Sequence, residues 1–237
     1  MDMKDDILAL LQGLAGFSEF EYATEDIAKT GDHPDSLCIF YNTKHLKVLK
    51  VNKDNYRGVN NDNKSNRVYL MMLFEHIGLN KKFIVGTMHL KSKKPNRKIR
   101  VLEITEYLLR LNQFLNSIKE DKDATEDELE ELPIIITGDF NDEPDSSVVE
   151  SMTDVDLTYG IKFNNVYCID GKHPEFTTHK YRSDKVTSHT IDYMFHNEHA
   201  QLISLRNLPD ESQIPESSNP CEKCPSDHLS LSSTFQI

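Results

Sequence analysis

Three features of the 237-residue sequence predict an α/β protein in which strands form mixed sheets covered by helices. Strand-like and helix-like segments occur in roughly equal numbers without strict alternation. A long amphipathic stretch lies between two apolar, β-branched runs. No internal repeat or Gly/Ser linker divides the chain, and 38% hydrophobic content over this length suits one substantial core.

The elements follow in order. DILALLQGLA, residues 6–15, has helical apolar spacing, with Asp5 and Asp6 where a helix N-terminus favours negative charge. FEYATEDIAKTGDHPD reads as a short strand and a polar loop. SLCIFY and HLKVLKV read as strands, and the polar tract KDNYRGVNNDNKSN separates them from RVYLMMLFE. KKFIVGTMHLKS is a further strand ending at His89 and Lys91.

From Arg97 to Lys119, the residues Ile104, Leu108, Leu111, Leu115 and Ile118 recur at spacings of four and three, which places them on one helical face. The acidic stretch Glu120 to Glu131 reads as a solvated loop or frayed helix end, because such a charge run resists burial. PIIITG is a strand that runs into the acidic turn DFNDEPD, and a short amphipathic segment follows around Val148 to Met152. HTIDYMF and LSLSSTFQI are the closing strands.

Composition narrows the function. A formal net charge of -12 argues against a surface built mainly to hold a nucleic-acid backbone, while leaving room for a local basic groove. No apolar run of about 18 residues spans a bilayer. The acidic N-terminus lacks the basic region of a signal peptide, so a cytoplasmic address is the default expectation. Four cysteines do not suggest a disulfide scaffold. Cys221 and Cys224 form a C-x-x-C that could be half a zinc site, but Cys38 and Cys168 supply no second pair, and two loop cysteines are the plainer reading.

Four segments place catalytically capable side chains at strand ends: MHLKSK (Met88 to Lys93), GDFN (Gly138 to Asn141), HTIDY (His189 to Tyr193) and SDH (Ser226 to His228). Singly, each is the ordinary polar end of a strand. Jointly and in this order they resemble the endonuclease/exonuclease/phosphatase superfamily. Within it, DSLCIFY, HLKSK and FTTHKYRSDKVTSHTIDYMF are most similar to the nocturnin and carbon-catabolite-repressor deadenylase-like group, on its nocturnin side.

That resemblance covers nearly the whole chain and implies a four-layer sandwich of two mixed β-sheets flanked by helices, as in deoxyribonuclease I. Residues 1–237 would be a single domain of this type. Asp139 would orient or activate the attacking water, and Asn141, two residues on and on the same strand face, would hold a phosphoryl oxygen. Asp227 and Asp139 would stand at a divalent cation, Mg2+ with Mn2+ as the alternative. His228 would bond the scissile phosphate, with Asp192 orienting its ring, and His89 would complete the pocket. Lys91, Lys93 and Arg182 match positions that hold substrate phosphates. Asp142, Glu143 and Asp145 read as surface charges.

The family pattern opens with a strand carrying Asn and a second strand ending in Gln-Glu, the principal metal ligand. Neither occurs here, and Glu19, Glu21 and Glu25 do not match it. Ser36 stands where the family has Gly. The chain is therefore expected to begin just after the missing ligand and to lack the first strands, which leaves an organelle address open. The resemblance implies a metal-dependent phosphoester hydrolase removing the 2′-phosphate of NADP(H). The alternatives are a 3′-5′ exoribonuclease acting on poly(A) and a catalytically impaired binding or scaffold form.

Overall fold

The computed structural model describes residues 3–13, 22–29, 36–57, 64–121, 125–182, 185–214 and 226–237. Its centre is a strand buried on both faces. In β4 (Lys64–His76) every residue from Val68 to Phe74 is buried, which explains the unbroken apolar run VYLMMLF. Tyr69, Met71 and Leu73 point to one core cluster, and Leu70, Met72 and Phe74 to another, as the two-residue period of a strand requires.

A six-stranded sheet forms around β4 in the order β3-β4-β5-β6-β10-β7, using β3 (Leu46–Arg57), β5 (Lys81–His89), β6 (Ile134–Asp139), β7 (Phe163–Asn165) and β10 (Asp192–Asn197). Its one parallel pair is β5 with β6. A parallel pair needs a long crossover, and the helix α2 (Arg97–Glu120) lies in that connection. The face of α2 carrying Ile104, Tyr107, Leu108, Leu111, Phe114 and Ile118 is buried against the first cluster, whereas Leu115 is only partly buried. Ile27, Ile39 and Tyr41, from the hairpin of β1 (Tyr22–Ala28) and β2 (Ser36–Asn42), cover the second cluster.

The mixed-sheet core with flanking helices is the expected class. Where a second extended sheet is expected, the described residues form separate two-stranded ladders: β1 with β2, β8 (Thr178–Arg182) with β9 (Lys185–His189), and β11 (Gln201–Leu205) with β12 (Ser233–Gln236). β7, β8 and β9 are too polar to stand out as strands in the sequence. The acidic stretch also differs from expectation, since Glu126–Glu130 is a short helix, α3, closed by a capping box between Thr125 and Glu128. Ser147–Glu150 forms α4, and Met3–Gly13 forms α1. Cys221, Cys224, Glu19 and Glu21 lie outside the described residues. Among the described residues, no helix is long and apolar enough to cross a membrane.

Gly86 of β5 faces α2 so closely that a Cβ there would fall 2.1 Å from the Tyr107 hydroxyl, with the next ring atom at 3.5 Å. Overpacking of this kind costs ~1–3 kcal/mol, so Gly86→Ala is expected to lower the urea midpoint by that equivalent. The Tyr107 hydroxyl has no hydrogen-bond partner among the described residues. Adding Tyr107→Phe therefore removes the clashing atom at little cost, and the double variant should recover most of the loss; an unrecovered midpoint would locate the strain elsewhere.

Candidate active site

Three neighbouring strands end on one row. Parallel pairing sets His89 of β5 opposite Asp139 of β6, and antiparallel pairing sets Asp192 of β10 opposite the same Asp139. Residues directly opposite in register project to the same side of a sheet. The three side chains are thereby brought together, and His89 Nε2 lies 3.5 Å from Asp139 Oδ2.

His228 joins them from the far end of the chain. The segment around it pairs with β8 through a Thr178–His228 bridge, with the His179 amide donating to the Asp227 carbonyl at 2.9 Å and the Leu229 amide to the Thr177 carbonyl at 2.7 Å. His228 Nδ1 then sits 3.0 Å from both carboxylate oxygens of Asp192. Thr177, fully buried, accepts the Ile191 and Asp192 amides at 3.0 Å each and donates its hydroxyl to Asp192 Oδ2 at 2.8 Å.

Electrostatics follow from this crowding. Burial, reinforced by the Asp192 charge, pushes the Asp139 carboxyl up to about 6. The hydrogen bond with Asp192 raises His228 and outweighs the burial that opposes its charge. One ligand atom from each of Asp139, Asp192 and His228 lies within 4.8 Å of the others. The two carboxylates so arranged fit a divalent cation, since a magnesium-sized ion takes one or two carboxylates and fills its shell with water and phosphate oxygens, and His228, bonded through Nδ1 to Asp192, stands beside them.

Asn141 reaches the site by a different route from the one expected. β6 stops at Asp139, and Asn141 adopts a positive φ of 53°. Its amide donates to Asp139 Oδ1 at 2.8 Å and its side chain to the Leu90 carbonyl at 3.1 Å. A carboxylate that caps the amide two residues on makes an Asx turn, so turn chemistry rather than strand alternation joins Asp139 to Asn141.

Asp227 adjoins His228, and its Oδ2 lies 3.3 Å from Lys180 Nζ. Burial works against its charge, but Lys180 holds it below the usual carboxylate range. Lys91 follows β5 and is half-buried, and Lys93 is exposed with φ at 77°. Arg182 ends β8, and its side chain lies outside the described residues.

Two of the acids read as surface charges are engaged. Asp142 is buried between two guanidiniums, with Arg97 Nη2 on Oδ1 and Arg100 Nη2 on Oδ2, both at 2.9 Å. Burial opposes its charge, and these bonds nonetheless hold its carboxyl below the usual range. Glu143 Oε1 meets His189 Nδ1 at 2.6 Å. Asp145 is exposed as expected.

Beside the carboxylates opens a cavity of about 680 Å³ that shares Asn141 and Lys180 with the site. Lys93, Lys94 and Arg97 line it with Glu143, Asp145, Thr187 and His189, and no Phe, Tyr or Trp among the described residues does. Sequence reasoning missed Lys180, although it lies two residues before Arg182 in the same FTTHKYR segment. It also missed Thr177, and the buried Lys29, whose Nζ lies 3.0 Å from His89 Nδ1; no motif marks either.

Residues 118–228 match the sequence model of the Endonuclease/Exonuclease/phosphatase family. The chain is 27% identical over 205 residues to nocturnin of Homo sapiens, covering 86% of this chain and 44% of that protein. It is 24% identical over 275 residues to the CCR4-Not complex 3′-5′-exoribonuclease subunit Ccr4 of Yarrowia lipolytica, covering 95% of this chain and 38% of that one. The chain thus spans less than half the length of these relatives. The human nocturnin catalytic domain with bound sulfate superposes with a TM-score of 0.73 at 21% identity, covering 100% of this chain and 78% of that domain. ANGEL2, a 2′,3′-cyclic phosphatase solved with adenosine-2′,3′-vanadate, gives 0.71 at 20%, covering 90% and 74%.

Asp139 is protonated in both folded and unfolded states below its unfolded pKa of 3.8, and the folded state keeps its proton up to about pH 6. The stability that this tighter proton confers is lost as pH rises through that window. With chelator present, Asp139→Asn is therefore expected to stabilise the fold by ~1–3 kcal/mol at neutral pH and by almost nothing near pH 4. Denaturant titrations at the two pH values check this, and a stabilisation independent of pH would refute the buried-charge account.

Proposed function

Starting from a chain whose residues 118–228 match the endonuclease/exonuclease/phosphatase family and whose fold is that of the nocturnin catalytic domain, we propose that it hydrolyses phosphoesters with Mg2+ and that its substrate is the 2′-phosphate of NADP(H). The observation that carries this reading is the convergence of Asp139, Asp192 and His228 beside a cavity lined by Lys93, Lys94, Arg97 and Lys180. When bound, a divalent cation there supplies neutralisation of charge on the phosphoryl oxygens.

The chain's own residues do the rest. Asp139, ionised once pH exceeds about 6, holds the attacking water and takes its proton as the new P–O bond forms and the bond from phosphorus to the ribose 2′-oxygen breaks, that oxygen leaving as the 2′-hydroxyl with a proton drawn from water. Asn141 keeps its side-chain oxygen and a second N–H for the phosphoryl group and the water. His228, anchored through Nδ1 by Asp192, presents its other ring nitrogen to a phosphoryl oxygen, where an imidazolium steadies the developing charge. Lys91, Lys93 and Arg182 hold the remaining phosphates, and Lys180 adds a fourth cation beside them.

The lining of the cavity favours a phosphate-rich dinucleotide. Single-stranded RNA is commonly held by bases stacked on several aromatic rings, and the described lining offers one imidazole, His189, among a majority of cations, acids and hydroxyls. A 3′-5′ exoribonuclease is the second reading, supported by the likeness to Ccr4.

With Mg2+ present, phosphate release from NADPH is expected to exceed shortening of an oligo(A) primer and to stop on chelation. Asp139→Asn and His228→Ala should each lower release by about 10²–10⁴-fold. Primer shortening without phosphate release would replace the dinucleotide reading with the exoribonuclease one, and binding of NADPH with neither activity would leave a binding module.

A further inference from the structure

We infer that Arg100 is a positioning residue that sets the phosphate-binding loop 89–94 and the catalytic loop 139–143 relative to each other through one buried guanidinium. The inference rests on reading Lys91 and Lys93 as phosphate ligands.

Arg100 is only 2% exposed. Its Nε and Nη2 donate to Asp142 Oδ2 at 3.0 and 2.9 Å, and its Nη1 donates to the carbonyls of Lys91 and Lys93 at 2.9 and 2.8 Å. One side chain thus holds both loops. Glu103, three residues further along the same face of α2, accepts the Lys91 amide at 2.7 Å. The helix therefore grips Lys91 by its amide and its carbonyl together.

Each loop also contains a residue that needs such holding. Lys93 has φ 77° and ψ 136°, and Asn141 has φ 53°. Positive φ is uncommon for any residue with a Cβ, and the Lys93 conformation is one that glycine alone adopts freely; it persists only where the surroundings impose it. Arg100 takes the Lys93 carbonyl, and Asn141 itself is tied across to the Leu90 carbonyl. A buried ion pair is a weak source of net stability. A strained cationic loop fixed to a carboxylate turn is what this pair accomplishes instead.

Two full-chain variants test the inference: Arg100→Lys, which keeps the charge but not the fork, and Arg100→Met combined with Asp142→Leu, which replaces the pair by apolar groups. The readouts are denaturant midpoint, hydrogen exchange of the 89–94 amides, and calorimetric affinity for inorganic pyrophosphate. Both variants are expected to stay folded, to exchange these amides about tenfold faster, and to bind pyrophosphate about tenfold more weakly. Should the double variant not fold, Arg100→Lys decides.

Wild-type exchange in a folded variant would overturn the coupling. Faster exchange with wild-type affinity would overturn the positioning role. If the wild-type protein itself binds no pyrophosphate, the reading of Lys91 and Lys93 falls, while the exchange still decides whether Arg100 couples the loops.

Discussion

Everything at the candidate site depends on the register of β6 between its two neighbours. Asp139 is opposite His89 on one side and opposite Asp192 on the other. A shift of one residue in either ladder would turn a whole strand inside out, moving Ile134 and Ile136 out of the core along with the carboxylates. Core packing and site geometry are therefore one constraint. The apolar alternation that buries the strand also fixes where its terminal acid points.

That constraint carries an electrostatic burden. Asp139 and Asp192 stand side by side on a half-covered sheet end, and the chain offsets the repulsion locally with His228, the Asn141 amide and Lys180. Compensation is incomplete, as the raised Asp139 carboxyl shows. Sites built to receive positive charge commonly keep such a deficit. The excess of the chain's acids is elsewhere spent on solvated surface, as in α3, so a net charge of -12 describes the exterior more than the cavity.

Much of this was legible in the sequence where one period or one motif controls the outcome. The four-three spacing of Ile104, Leu108, Leu111 and Ile118 gave the buried face of α2, and the continuous apolar run gave β4. HLK, GDFN, TIDY and SDH located His89, Asp139, Asp192 and His228, which the fold brings together. Other features depend on tertiary partners that no local pattern encodes. Asp142 looked like a surface acid because its partners, Arg97 and Arg100, lie some 40 residues earlier in a segment that reads as a solvated basic helix start. Asn141 was assigned to a strand face because the Asx turn that ends β6 looks like two more strand residues. β8 and β9 carry no apolar alternation to mark them: β9 is exposed along most of its length, and the residues that β8 buries, Thr178 and His179, are polar.

Thr177 has a consequence for proton bookkeeping. A hydroxyl has a single hydrogen, and here both the Ile191 and Asp192 amides point at its oxygen. Its hydrogen then has two acceptors in reach, Asp192 Oδ2 at 2.8 Å and the His189 carbonyl at 3.5 Å, and the shorter, charge-assisted bond makes the chain one-way: main chain to hydroxyl, hydroxyl to carboxylate. Asp192 is an acceptor at that end and an acceptor again at the imidazole, so the ring must carry its hydrogen on Nδ1. The carboxylate thus selects the Nδ1–H form of His228 and leaves Nε2 as the nitrogen turned outward, and the buried threonine fixes where that carboxylate sits by holding its Oδ2. Valine in its place would match the shape and untie the carboxylate from the Ile191 and Asp192 amides.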